Sequence, residues 1–152
     1  METNTIKQAM EKALAAHIGC EWSEIEPCKH NFYGLDSFSY GREEWAIGSD
    51  ADAQEAVSEN IKQSAWAFRP SFILEMCNLP HELEEVFQAW QEKECENCND
   101  ALVKLISRTG KWDDFVACAV SADGRGHFLS LYDGEEVELK TEEGTFYAYC
   151  IN

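Results

Sequence analysis

The sequence predicts an α+β fold, with four or five helices packed on a small antiparallel sheet. Two observations carry that expectation. Apolar residues recur at helical spacing through most of the chain before residue 124, and the period changes to two at residues 38–47 and again near the C-terminus. A chain of 152 residues can bury a core around both kinds of element, and its length favours one domain. The expected organisation is a single domain over 1–152. Residues 1–35 form an N-terminal helix and an irregular segment, and 36–152 form the α+β body.

Residues 5–18, TIKQAMEKALAAHI, read as the first helix. Thr5 and Gln8 have the spacing of a capping box. Ile6, Met10, Ala13, Leu14 and His17 share a face, and Gly19 is a natural stop. Residues 20–37 read as irregular, with Pro27 and Gly34 among them. A hairpin follows: SFSY, the turn Gly41-Arg42, then EEWAIG. Phe38, Tyr40, Trp45 and Ile47 supply its apolar face. Ser49 and Asp50 suit the cap of a helix whose face is Ala53, Ala56, Val57, Ile61, Ala65 and Phe68, ended by Pro70.

Beyond a short apolar segment, FILEMC, Leu79-Pro80 opens another helix. Glu82, Glu84 and Glu85 fall in its first turns, where negative charge suits the helix dipole. Its apolar stripe is Leu83, Val86, Phe87 and Trp90. Asn97 or Asn99 breaks the chain before a helical face of Ala101, Leu102, Leu105 and Ile106, stopped by Gly110. The last long helix buries Trp112, Phe115, Val116, Ala119 and Val120 and stops near Gly124. VEL at 137–139, a turn at Glu143-Gly144 and TFYAYCI then complete the sheet, expected from residues 38–47 and about 127–151.

Charge is the main compositional signal. Against 12 Lys plus Arg stand 29 Asp plus Glu, a formal net charge of −17. Residues 21–59 hold ten acids and two bases, residues 82–100 seven acids and one base, and residues 133–143 six acids and one base. A chain so charged repels nucleic acid and anionic membranes and attracts basic surfaces, including those that hold DNA or RNA. Direct nucleic-acid binding is also disfavoured by the aromatics, which have acidic neighbours where a base-stacking platform has Lys or Arg. No apolar run reaches the ~18 residues of a membrane helix. The N-terminus METNTIKQAMEK lacks the pattern of a secretory signal. The expected compartment is the cytoplasm, where a reducing poise keeps the seven cysteines as thiols. Cys77, Cys118 and Cys150 sit among apolar neighbours and read as small core residues.

Cys95-Glu-Asn-Cys98 has zinc spacing, and Cys20, Cys28 and His30 are candidates for further ligands. No second CxxC accompanies the pair, so Cys95 and Cys98 read first as free thiols at a helix end. Their glutamate neighbours oppose a redox role by raising the thiol pKa.

The stretch DGRGHFLSLYDGEE, residues 123–136, concentrates Asp123, Arg125, His127, Ser130 and Asp133. A hydrolase needs a nucleophile, base and orienter in mutual reach, and residues this close in sequence rarely supply all three. No GxSxG turn accompanies them. Gly124-Arg-Gly126 offers only a short phosphate cradle in a negative field. The stretch reads best as a helix-to-sheet corner in which Arg125 pairs with a carboxylate. The alternative is a small-ligand site using Arg125 and His127. No catalytic residue and no cofactor is assigned.

The ending DGRGHFLSLYDGEEVEL, followed by FYAYCIN, resembles the C-terminus of small acidic proteins encoded by bacteriophages and related mobile elements. These close with a DGRGHFLSxYDGEE-like run and an aromatic YxYxxN ending. REEWAIGSDADAQEAV resembles their middle pattern of a short strand and a capped helix. The likeness is tight over about the last 30 residues and loose over 40–122. It does not reach the first 35, and Cys150 stands where a basic residue is expected. The resemblance implies a source, a phage or mobile element, and brings no activity or catalytic residues with it. Together with the charge it implies a non-enzymatic inhibitor, of the anti-CRISPR or anti-restriction kind, acting in the host cytoplasm. Such a protein presents carboxylates to the basic site of a host defence or nucleic-acid-handling protein, as a DNA mimic. The expected contacts are Glu43, Glu44, Asp50, Asp52, Glu82, Glu84, Glu85, Glu135, Glu136 and Glu138. The alternative function is a small-ligand or zinc-binding protein using Arg125 and His127, or Cys95 and Cys98.

Overall fold

The computed structural model describes residues 2–152, with side chains from residue 4 onward, and the fold is α+β. Five strands form one antiparallel sheet: β1 (Glu26–Phe32), β2 (Leu35–Tyr40), β3 (Glu43–Gly48), β4 (Val137–Thr141) and β5 (Gly144–Cys150). Their order is β1-β2-β3-β5-β4, so the C-terminal strand closes against the N-terminal hairpin. The helices are α1 (Glu2–Ile18), α2 (Asp50–Ser64), α3 (Pro70–Met76), α4 (Glu84–Glu94), α5 (Asn99–Thr109), α6 (Trp112–Asp123) and the five-residue α7 (Arg125–Leu129). Two compact units result, one from the residues up to Val57 and from Gly124 on, the other from Ser58–Asp123.

In the first unit the period-two pattern sets the register. Phe38 lies opposite Trp45, Trp45 opposite Cys150, Ile47 opposite Ala148, and Leu139 opposite Phe146. Directly paired residues share a face. That face is the apolar one, and Met10, Leu14 and Ala15 of α1 bury against it. Truncating Met10 or Leu14 leaves a void that the packed neighbours close only in part. The reverse face carries Ser37, Ser39, Glu44, Ala46, Tyr147 and Tyr149. It too is buried in part, for Ser37, Ala46 and Tyr149 are shielded from solvent.

The N-terminal segment departs from the expected reading. Residues 20–37 are not irregular: β1 and the start of β2 lie inside them. The signal was missing because β1, EPCKHNF, is an exposed edge strand with no buried residue, and its register slips between Pro27 and Asn31. Such a strand shows no apolar alternation, and proline is tolerated at an edge. Likewise α1 begins at Glu2, so Thr5 and Gln8 lie inside the helix rather than at its cap. The expected cap of α2 is present. Ser49 Oγ accepts from the Asp52 amide at 3.1 Å, and Asp52 Oδ2 accepts from the Ser49 amide at 3.3 Å.

The second unit is helical. Its buried apolar residues are Ile61, Ala65, Ile73, Leu74, Cys77, Cys98, Leu102, Ile106, Phe115, Val116 and Ala119. Phe68 and Phe72 stand 5.1 and 4.9 Å from Phe115, and Trp112 stacks on the same ring at 5.6 Å. Pro70 does not end α2, which stops at Ser64; it is the first residue of α3, where its missing N–H costs nothing. The break between these helices frees backbone groups, and two amides satisfy them. Gln91 donates to the carbonyls of Trp66 at 2.9 Å and Phe68 at 2.7 Å, while Asn99 accepts from the Trp66 amide and donates to the Lys62 carbonyl. Gln91 is therefore buried on α4, and Val86, expected in the apolar stripe, is 61% exposed on its flank. Cys118 is exposed rather than core, because α6 buries Phe115, Val116 and Ala119 instead.

The chain from 123 to 136 is the expected corner, but the strand expected from about residue 127 is absent: α7 occupies 125–129, and the sheet resumes only at Val137. Gly124, at φ 85°, takes the left-handed conformation after α6 that glycine alone adopts without strain. Gly126 has a different task. A Cβ there would lie 2.6 Å from the Gly134 carbonyl oxygen and 2.8 Å from the backbone of Glu135 and Glu136. Only glycine lets this returning segment lie flat on α7. Gly126→Ala is expected to lower stability by about 2 kcal/mol through backbone overpacking. Urea unfolding measures this, and an unchanged midpoint would contradict the close approach.

Candidate functional site

Arg125 follows directly from that close approach. Its Nε donates to Glu136 Oε2 at 2.8 Å and its Nη2 to Oε1 at 3.3 Å, the forked pairing a guanidinium favours. Nη1 donates to Asp50 Oδ1 at 2.8 Å and to the Asp50 carbonyl at 3.3 Å. The guanidinium lies 4.7 Å over the Tyr147 ring, and the Tyr149 hydroxyl donates to Glu136 at 2.6 Å. Only 10% of the Arg125 side chain is exposed. Burial by itself would lower its pKa, yet the hydrogen bonds to Glu136 and Asp50 and the Glu136 charge win and raise it, so it stays charged. Burial and the Glu136 carboxylate raise Tyr149, which remains a neutral donor.

His127 does not join Arg125 in a site. It is exposed, with its ring edge-on to Phe128 at 4.9 Å. The nearby polar pair is Ser130 and Asp133. Ser130 is buried, and its one hydroxyl hydrogen faces Asp133 Oδ1 at 2.6 Å, with the Cys150 carbonyl 3.0 Å away. The Ser130 hydroxyl and the Glu135 amide together hold the Asp133 carboxyl below the usual range. This arrangement closes a turn. The buried Ser130 hydroxyl is engaged by the Asp133 carboxylate and faces the Cys150 carbonyl, so its hydrogen bonds tie the turn to β5.

The ten expected contact carboxylates separate by their surroundings. Asp50 and Glu136 are taken up by Arg125, and Asp52 by the helix cap. Glu44 pairs with His30, and Glu138 lies 3.7 Å from Lys140. Glu136 and Glu138 therefore do not form a strand row open to a partner. Half-buried Glu43 lies near Cys20 and Tyr40. Burial, Glu24, Glu21 and Glu43 raise the Cys20 thiol, and Glu24, Cys20, burial and Glu43 raise the Tyr40 hydroxyl. Glu135 is exposed, as are Leu131 at 65% and Tyr132 at 74%. In the second unit Glu82, Glu84 and Glu85 are all exposed, and among the described residues they enter no ion pair.

The helical unit also carries an open groove of about 620 Å³ that the sequence did not announce. Trp66, Phe68 and Pro70 give it apolar walls, Glu84 and Glu92 line it, and Arg69 is its one basic lining residue. It forms where the chain breaks after α2, a place set by the tertiary partners Gln91 and Asn99 rather than by a local motif. The buried Oε1 of Gln91, which lines it, has no hydrogen-bond partner among the described residues.

Cys95 and Cys98 lie in a 3-10 turn after α4, and their thiols donate to the carbonyls of Glu92 and Cys95. Burial, joined by the Glu94 and Cys95 charges, raises the Cys98 thiol, as its acidic surroundings suggest. Among the described residues the three-ligand cluster is elsewhere. Cys28, His30 and Glu44 bring their donor atoms within 4.8 Å of one another.

No family model, curated protein or solved structure matches this chain. Its function is therefore argued from its own geometry.

Two variants test the corner. His127→Ala is expected to change stability by less than about 0.5 kcal/mol, as for an exposed side chain. Asp133→Asn is expected to cost about 1 kcal/mol at neutral pH. Because the folded pKa of Asp133 is depressed, its contribution is complete above the unfolded value and is lost as pH falls through the folded one. The gap between wild type and variant should thus close below about pH 4. Thermal melts across pH read both, and a gap that widens on acidification would contradict the assignment.

Proposed function

We propose that this protein is a non-enzymatic inhibitor that binds the basic, nucleic-acid-holding site of a host protein. The resemblance of residues 123–152 to phage and mobile-element proteins makes a defence nuclease the favoured partner class. The observation that carries the reading is the groove of the helical unit. Its lining combines the carboxylates Glu84 and Glu92 with the rings of Trp66 and Phe68. Aromatic faces and carboxylates together suit the side chain of an arginine or lysine. Glu82 and Glu85 extend the charge beyond the groove, and among the described residues neither enters an ion pair.

The physics of such binding resembles that of a nucleic acid. Duplex DNA presents about one charge per 1.7 Å of axis, and proteins meet it with rows of Lys and Arg. On α4, Glu85 and Glu92 are seven residues apart, two turns along one face and about 10 Å in rise. Exposed carboxylates at such intervals steer a basic partner and compete for the same cations. The carboxylates taken up by Arg125 contribute to folding instead. No helix among the described residues is long and apolar enough to cross a membrane.

The test is capture from host lysate at low and high salt, followed by binding to the identified partner with duplex DNA or RNA as competitor. Affinity is expected to fall steeply with salt and with added nucleic acid. The triple reversal Glu82→Lys, Glu84→Lys, Glu85→Lys should weaken binding by more than about tenfold, mainly through slower association, with an unchanged melt. Salt-insensitive binding without competition would contradict the proposal.

A further inference from the structure

We propose that Cys28, His30 and Glu44 form a binding site for a transition-metal dication, with zinc as the best match. The donors are a thiol, an imidazole and a carboxylate, the three side-chain types that zinc takes. That mixture favours zinc or cobalt over magnesium or calcium, which prefer all-oxygen sites. The donor atoms lie within 4.8 Å of one another. A tetrahedral zinc with bonds of 2.0–2.3 Å holds its ligands roughly 3.3–3.8 Å apart, so small side-chain rotations suffice. The ion would open the direct His30–Glu44 contact and replace it with two bonds to the metal.

The sheet builds this cluster. Cys28 and His30 lie on β1, inside the stretch where the register slips between Pro27 and Asn31. A bulge of this kind re-aims side chains, and bulges gather at edges and sites. Glu44 lies two strands away on β3, opposite Ser39 of β2. Ser39, opposite Glu44 on the intervening strand, has a short side chain, and His30 reaches Glu44 directly. The Glu44 backbone is fixed on its other side, because its amide donates to the Asn152 carbonyl at 3.3 Å and its carbonyl accepts from the Ile151 amide at 2.9 Å. The ligand from β3 is thus held by the sheet, while those from the edge strand adjust. His30 is 66% exposed and Glu44 26%, so an ion has access from solvent. The ten acids of residues 21–59 favour a dication there. Three protein ligands leave a fourth position for water. A metal so placed pins the edge strand β1 to the sheet.

The site is independent of the inhibitory reading, because its ligands lie in the sheet unit and the groove lies in the helical one. The experiment is a titration of the purified, reduced protein with Co²⁺, then with Zn²⁺. One equivalent of cobalt is expected to produce thiolate-to-metal charge-transfer absorption, which zinc then abolishes. Cys28→Ser should remove that band. His30→Gln and Glu44→Gln should each weaken binding by more than about tenfold, the loss already typical of an outer-shell partner. The double variant Cys95→Ser, Cys98→Ser should keep the band. Without any variant, zinc should raise the wild-type melting temperature, since binding to the folded state alone stabilises it. Absence of the band, its survival in Cys28→Ser, its loss only with Cys95 and Cys98, or an unmoved melt with zinc would each overturn the proposal.

Discussion

One guanidinium holds the sheet unit's corner together. Arg125 reaches the start of α2 through Asp50, the approach to β4 through Glu136, and β5 through the Tyr147 ring. Tyr149 closes the network from β5 onto the same Glu136. Segments from positions 50, 125, 136 and 147 thus meet at one cation. The contact is possible because Gly126, next in sequence, lets residues 134–136 lie against α7. A nearly buried charge without such partners would be strongly destabilising, and here every branch of it is hydrogen-bonded.

That arrangement divides the carboxylates of a very acidic chain. In the sheet unit, arginine, histidine, lysine or a helix cap engages many of the acidic side chains, so they stabilise local structure. On α4 and the turn before it, Glu82, Glu84 and Glu85 have no such partner among the described residues, and Glu84 lines an aromatic groove. Mutual repulsion along that row costs stability. Carboxylates left unpaired at such a cost are the ones most available to a basic partner. Net charge alone does not distinguish the two groups; the partners of each side chain do.

Much of the fold was legible in the sequence, because its strongest signals are periodic. The hairpin around Gly41-Arg42, the Ser49 cap and the C-terminal strand TFYAYCI all follow from spacing and turn chemistry. The edge strand β1 was not legible: both its faces are polar or exposed, and a bulge interrupts its register. Pairing of Arg125 with a carboxylate was expected, but Glu136 could not be told from its neighbours. Tyr147 and Tyr149, two apart on one strand face, were the available hint that something polar sits over β5. Glu44 as the companion of Cys28 and His30 was invisible for another reason. The three meet only once β2 has been placed between their strands. The groove at Trp66 and Phe68 depends on two amides, Gln91 and Asn99, far along the chain from the break they satisfy.

The most direct test is a double-mutant cycle on Arg125 and Glu136, using Arg125→Met, Glu136→Gln and the pair, read by urea unfolding at neutral pH. If the guanidinium is committed to the fold, the two changes should be strongly non-additive, with a coupling energy of about 2 kcal/mol. Additive effects, to within about 0.5 kcal/mol, would contradict it. Arg125 would then be free to serve a ligand.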